Sequence, residues 1–213
     1  MWDDRTGSVW THLDGLALGG PLEGAQLAIR PLQTTTWEAW LGEHPDTTVI
    51  DIDTGYQYRR TTRIGAAGIG RTFLDSLDGI DERLPVNEFV IGVLAGDQAT
   101  AFPLSAAPEN APMQATVGGV PVVVLEDLSG VPALAYHRAL TDGRVLDFER
   151  RDRDGEGGGG VFDTQTGSRW TASGLAVEGA LEGVQLTFVT SFFTEWYGWA
   201  AFHPRTTIFA EGA

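Results

Sequence analysis

Cysteine is absent from this chain of 213 residues, and so is lysine. Without Cys there is no disulfide, no thiolate metal ligand and no thiol nucleophile, and the redox compartment is left open. Without Lys, all 14 basic residues are Arg; they face 29 Asp and Glu, for a net charge of −15. A surface this acidic repels nucleic acid and anionic membranes, so neither is expected as a partner. No apolar run approaches the roughly 18 residues of a spanning helix, so no membrane insertion is expected. No basic stretch leading into an apolar one marks a signal peptide either. Localisation stays open, with an extracytoplasmic site allowed if a segment upstream of Met1 is missing.

What is present is globular. The hydrophobic fraction is 42%, and a chain of this length buries a real core as one large or two small domains. A high-GC genome would account for Arg in place of Lys. Salt adaptation accounts for the missing Lys and the large negative charge together, because hydrated carboxylates stay screened in concentrated salt. The second reading is preferred.

The chain contains one stretch twice, at 1–50 and at 161–209. Asp3, Gly7, Ser8 and Trp10 match Asp163, Gly167, Ser168 and Trp170. Gly15, Gly20, Leu22, Gly24 and Leu27 match Gly174, Gly179, Leu181, Gly183 and Leu186. Trp37, Trp40, His44, Pro45 and Thr47 match Trp196, Trp199, His203, Pro204 and Thr206. Matches at constant spacing with one deletion read as internal duplication. The two copies are expected to share hairpin, turn, strand and helix.

Residues 3–7 open with Asp and close with Gly, the pattern of a hairpin loop. Strands are expected at 16–18 and 26–32, around a turn at 21–24. Thr35 and Glu38 form a capping box for a short helix that carries Trp37 and Trp40 on one face. Pro45 ends it at His44. In the second copy Glu195 suits the start of the helix dipole. Residues 51–82 read as a connector rich in Gly, Asp and Arg. Strands follow at 89–94 and 99–104 around Gly96-Asp97, then at 120–125, 133–138 and 144–149. The fold class is α+β, predominantly antiparallel β, with one short helix per copy. The expected organisation is 1–50 as the back half of a first unit, 51–82 as connector and 83–210 as a complete second unit.

These segments resemble the bacterial and archaeal family known as domain of unknown function 3179. The resemblance rests on Arg83-Leu84-Pro85, Val90-Ile91-Gly92-Val93, Ala101-Phe102-Pro103-Leu104 and the run Val117-Gly118-Gly119-Val120-Pro121-Val122-Val123-Val124. Ala133 to Arg138, Asp142-Gly143-Arg144, Asp163 with Thr166-Gly167-Ser168 and Trp170, and the Trp-Trp-His-Pro helix complete the set. The family carries a Tyr-Cys-Pro-Leu stretch where this chain reads Leu125-Glu126-Asp127-Leu128, with Asp127 near the Cys position. Chemistry tied to that Cys is absent from this unit, and the resemblance implies no established activity.

Several motifs weaken on inspection. Residues 65–72 have the spacing of a phosphate loop, but Arg replaces its Lys and no βαβ context surrounds it; a connector is the better reading. Residues 152–156 lack the ligand spacing of a calcium loop and read as a solvated acidic loop. Ser8 and Ser168 lack the nucleophile elbow. His12, His44, His137 and His203 show no metal-ligand spacing; His44 and His203 read as helix-end residues that hydrogen-bond backbone carbonyls and pack on Trp. Trp37, Trp40, Trp196 and Trp199 read as core, with a carbohydrate or quinone cleft as the alternative. No metal, cofactor or catalytic residue is therefore assigned.

The polar cluster Asp127, His137, Arg138, Arg144 and Asp163 is the candidate binding site. Arg144 and Asp163 are expected to form a structural salt bridge. The leading function is a non-catalytic ligand-binding or scaffolding module in a salt-adapted microbe. The alternative is an enzyme or metal- or redox-handling protein whose reactive Cys lies in a missing upstream half. The first copy lacks strands to pack against. It is expected to dock within the chain, leaving the edge near Met1 to Trp10 open to a partner chain.

Overall fold

The computed structural model describes residues 1–32, 35–50, 70–77, 79–126, 132–151 and 159–210. Among them the chain is mostly antiparallel β, with few and short helices. A first ribbon pairs β1 (Val9–Trp10) with β2 (Ala17–Gly19). Two short helices follow, α1 (Trp37–Glu43) and α2 (Arg71–Leu74). Next come β3 (Phe89–Ala95), β4 (Gln98–Pro103), β5 (Met113–Val117), β6 (Val120–Glu126) and β7 (Pro132–His137). Then follow β8 (Phe148–Arg151), β9 (Gly160–Asp163), β10 (Arg169–Trp170), β11 (Ala176–Glu178), β12 (Phe188–Val189) and β13 (Ser191–Glu195). The last elements are α3 (Trp196–Phe202) and β14 (Thr207–Ile208).

Three four-stranded sheets result, ordered β13-β3-β4-β14, β12-β7-β6-β5 and β11-β10-β9-β8. They stack because the middle strands are apolar on both faces. In β6, Val122 and Val124 pack with Ile91, Val93, Phe102 and Met113. Val123 and Leu125, on the opposite face, pack with Phe148, Val161 and Trp170. Side chains alternate along a strand, so a continuous apolar run marks a strand buried on both sides. Beyond the first sheet, Val90 and Ala101 meet Trp196, Trp199 and Ala200 of α3. Helix and strand approach closely there: any Cβ at Gly92 would overlap the Trp199 ring.

Several local expectations shift. Helix α1 starts at Trp37, with Trp40 N–H donating to the carbonyl of Thr36 at 2.9 Å, one residue beyond the expected cap Thr35. Glu195 is the N-cap of α3 and ends β13, in extended backbone, rather than lying in the first turn. The strand expected at 26–32 reduces to one bridge, Leu16 to Gln26. Strands β5 and β13 were not anticipated. The phosphate-loop-like residues 65–69, the acidic loop at 152–156 and Asp127 lie outside the described residues.

Candidate functional site

The hairpin turn of residues 163–170 is built by one carboxylate. Asp163 accepts from Thr166 N–H at 2.6 Å, Thr166 Oγ1 at 2.8 Å, Ser168 N–H at 3.2 Å and Trp170 Nε1 at 3.0 Å. Ser168 Oγ in turn accepts from Leu181 N–H at 3.0 Å, tying the hairpin to the next turn. Asp163 and Ser168 are fully buried. Burying a carboxylate is costly unless its lone pairs are filled in this way.

All but one of these bonds recur at residues 3–22, where the Ser8 N–H donates to Thr6 Oγ1 at 3.2 Å instead of to the carboxylate. Asp3 accepts from Thr6 N–H at 2.7 Å, Thr6 Oγ1 at 2.6 Å and Trp10 Nε1 at 3.0 Å, and Ser8 Oγ accepts from Leu22 N–H at 3.1 Å. The Thr6 hydroxyl, then the Trp10 indole, pull the Asp3 carboxyl down to about 2. Gly20 and Gly179 take φ of +95° and +96°, and a Cβ on either would lie 2.7 or 2.8 Å from the Cα of Ser8 or Ser168. Only glycine serves there. In both segments the serine oxygen and the Asp carboxylate are occupied by structural bonds, so neither is poised for attack or proton transfer.

The predicted cluster comes together only in part. Arg138 Nη1 donates to the Leu146 carbonyl at 2.9 Å and pairs with Asp147. Asp147 also accepts from Gln165 Nε2 at 3.1 Å, and its own N–H donates to Gln165 Oε1 at 3.0 Å. Arg138, Asp147 and Gln165 thus form a polar chain beside the Asp163 turn. Asp147 and Gln165 were missed. The expected bridge between Arg144 and Asp163 does not form: Arg144 pairs with Asp142 at 2.6 Å, within the same exposed turn. Asp142, chiefly through its hydrogen bond, raises the Arg144 pKa; the Asp163 charge is its smallest contributor. His137 sits on β7 opposite Val122, with its backbone N–H donating to the Thr187 carbonyl at 2.8 Å. Among the described residues no group of three His, Asp or Glu side chains converges on a metal position.

The helices carry the sharper contrast. Trp199 Nε1 donates to Thr206 Oγ1 at 2.9 Å, and Trp199 stacks on His203 with centroids 4.2 Å apart at 45°. Trp40 Nε1 donates to Thr47 Oγ1 at 2.9 Å, and Trp40 stacks on His44 at 4.2 Å and 43°. Both histidines thus pack on Trp, as expected, but His203 Nε2 is buried without the carbonyl partner that was also expected. Burial differs completely. Trp196 and Trp199 are 0% exposed, whereas Trp37 and Trp40 are 53% and 40% exposed. The core reading holds for the second pair; the first pair lies at the surface, because strands β3 and β4 cover α3 and not α1.

The model of a family described as "protein of unknown function (DUF3179)" matches residues 1–206. The chain belongs to that family. The match takes in both Asp-centred hairpins and both Trp-bearing helices of this DUF3179 chain. No curated protein and no solved structure matches it. No helix among the described residues is long and apolar enough to cross a membrane.

Proposed function

We propose that this DUF3179 chain is a non-catalytic binding or scaffolding module built on two copies of one hairpin–helix motif, in a salt-adapted microbe. One observation carries the reading. Two helices share the Trp–Thr hydrogen bond and the Trp–His stack, yet α3 has its Trp face buried and α1 has it exposed. Leu22 and Leu27 are exposed on the first segment, while their matches Leu181 and Leu186 are buried. An apolar face that one copy buries internally is, on the other, the surface for another polypeptide. The candidate polar residues favour structure over catalysis. Arg138 is tied to Asp147, Arg144 to Asp142, and Asp163 to its own turn. Salt adaptation is supported by the Lys-free, strongly acidic composition.

The test is a double variant, Trp37→Ala with Trp40→Ala, studied by sedimentation equilibrium and chemical unfolding. The expected result is a stability within about 1 kcal/mol of the parent, as for exposed positions, with loss of whatever self-association the parent shows. A parent that stays monomeric at millimolar concentration directs the search to a different chain. A loss of stability as large as that of a buried Trp would make this face core and end the reading.

A further inference from the structure

The two hairpins differ in one loop, and that loop reaches α3. Thr11 and Thr171 occupy matching places: each N–H donates, at 2.9 Å, to the carbonyl of Leu16 or Leu175. Between them the first segment has His12-Leu13-Asp14-Gly15 and the second only Ala172-Ser173-Gly174. The longer loop delivers Leu13 into the cluster of Val90, Ala101, Trp196, Trp199 and Ala200. His12 meets Phe202 edge-on, with centroids 5.4 Å apart at 84°. Asp14 Oδ1 faces His203 Nε2 at 3.6 Å, beyond hydrogen-bond reach, and both atoms are buried without a hydrogen-bond partner.

We propose that Asp14 and His203 form a proton-operated latch, which holds residues 12–14 on α3 while His203 is neutral and releases them on acidification. The apolar plug Leu13 supplies the closing force. Placing a proton on His203 adds charge inside a largely closed, aromatic site, against the Trp199 ring. The surrounding charges are few. Among the described residues Asp14 is the one carboxylate that faces the imidazole, and His12 is its titratable neighbour on the loop. From the turn before β3, Arg83 donates to the carbonyls of Pro204 and Thr206 at 3.3 and 2.8 Å, and is itself paired with Asp81 at 2.7 Å. Arg205 lies exposed in the turn after α3, and residues 196–202 carry no charge. Burial lowers the His203 pKa below its ordinary 6.5, and the Asp14 charge offsets this in part.

The sign follows by linkage. A histidine whose folded pKa is depressed contributes stability that is fully present above 6.5 and is lost as pH falls from there toward the depressed value. Releasing the loop returns His203 to water, so acid favours the open form.

The test is hydrogen exchange on the intact chain at pH 7.5 and 5.0, corrected for intrinsic exchange. Protection of residues 10–17 should fall severalfold at pH 5.0, while that of 120–126 stays unchanged. In His203→Gln the difference should vanish; in Asp14→Asn, with the offsetting charge gone, the fall at pH 5.0 should be larger than in the parent. Equal protection of the parent loop at both pH values, or a His203→Gln variant that keeps the drop, would overturn the latch. If His203→Gln does not fold, the imidazole of the parent decides by NMR titration: a midpoint below 6.5 supports the latch and one at or above 6.5 refutes it.

Discussion

Gly92 of β3 lies against the face of the Trp199 indole, and no side chain fits between strand and helix at that point. Strand β13 runs beside it, with Phe192 opposite Gly92 in register, and leads directly into α3. The helix is therefore held over the sheet by chain continuity on one side and by a missing Cβ on the other. Gly92→Ala should push α3 off the sheet and cost about 1–3 kcal/mol or more, as overpacked cores do. Near-UV circular dichroism should show the loss of ordered Trp signal, and urea unfolding the loss of stability. Retention of both would mean that the helix is free to slide.

The Trp pairs give the second prediction. Trp199→Ala removes a fully buried indole and its hydrogen bond to Thr206 Oγ1, and should cost about 3–5 kcal/mol. Trp40→Ala removes the same contacts from a partly exposed site, and should cost under about 1 kcal/mol. Equal costs, measured by chemical denaturation, would place α1 in a core as well.

Much of this was legible in the sequence, and the rest was not for definite reasons. Val122 to Leu125 reads as a doubly buried strand because nothing polar interrupts it. The Asp-Thr-Ser-Trp spacing of 3–10 recurs at 163–170 and was visible as a turn. What that spacing could not show was that the carboxylate accepts from the indole seven residues on, since this needs the folded hairpin. Arg144 was matched with Asp163, but Asp142 lies two residues away and closes the pair at little cost in chain entropy. Strand β5 was missed because Gln114, Ala115 and Thr116 carry no strong apolar alternation; Gln114 is held there by bonds to the backbone of Phe148, 2.8 and 2.9 Å long. Burial of the Trp pairs could not be told apart by sequence, because the two helices match and only their neighbours differ.

The Asp3 turn makes a pH prediction. Its depressed carboxyl contributes stability that is present above the ordinary 3.8 and is lost as pH falls toward about 2. NMR titration should put the Asp3 midpoint near that lower value. Thr6→Val removes the largest cause, the hydroxyl bond, and should raise the midpoint toward 3.8. A midpoint already at the ordinary value in the parent would show that the hairpin bonds do not persist in solution.

Asp163 tests the buried version of the same turn. Asp163→Ala leaves the Trp170 indole N–H and the Thr166 amide without their acceptor, while the Ser168 amide keeps only its bond to Thr166 Oγ1 at 3.3 Å. Each buried donor left unpaired costs about 1–3 kcal/mol, so the whole should exceed the effect of removing either exposed Arg144 or Asp142. The Arg144–Asp142 pair is half-exposed on both sides, and surface pairs contribute about 0–1 kcal/mol. Equal thermal shifts for Asp163→Ala and Arg144→Ala would contradict this ranking.

The salt dependence of stability tests the composition and not a single contact. At −15 the chain repels itself, and among the described residues Arg83, Arg151 and Arg169 are each paired with a carboxylate, of Asp81, Glu149 and Glu178. The remaining acidic groups must be screened by solvent ions. The Debye length shortens from about 10 Å at 0.1 M to about 3 Å at 1 M. Repulsion between surface carboxylates several residues apart therefore continues to weaken above physiological salt. Added salt also weakens the exposed ion pairs, but these contribute little. The net expectation is a melting temperature that rises steadily from dilute buffer to molar KCl. To separate screening from the general salting-out of apolar surface, the same series is run at pH 4.5, near the sequence pI, where net charge is small. A rise at pH 7 that largely disappears at pH 4.5 assigns the effect to charge. A flat curve at pH 7 would remove salt adaptation and leave genome composition as the reason for the missing Lys.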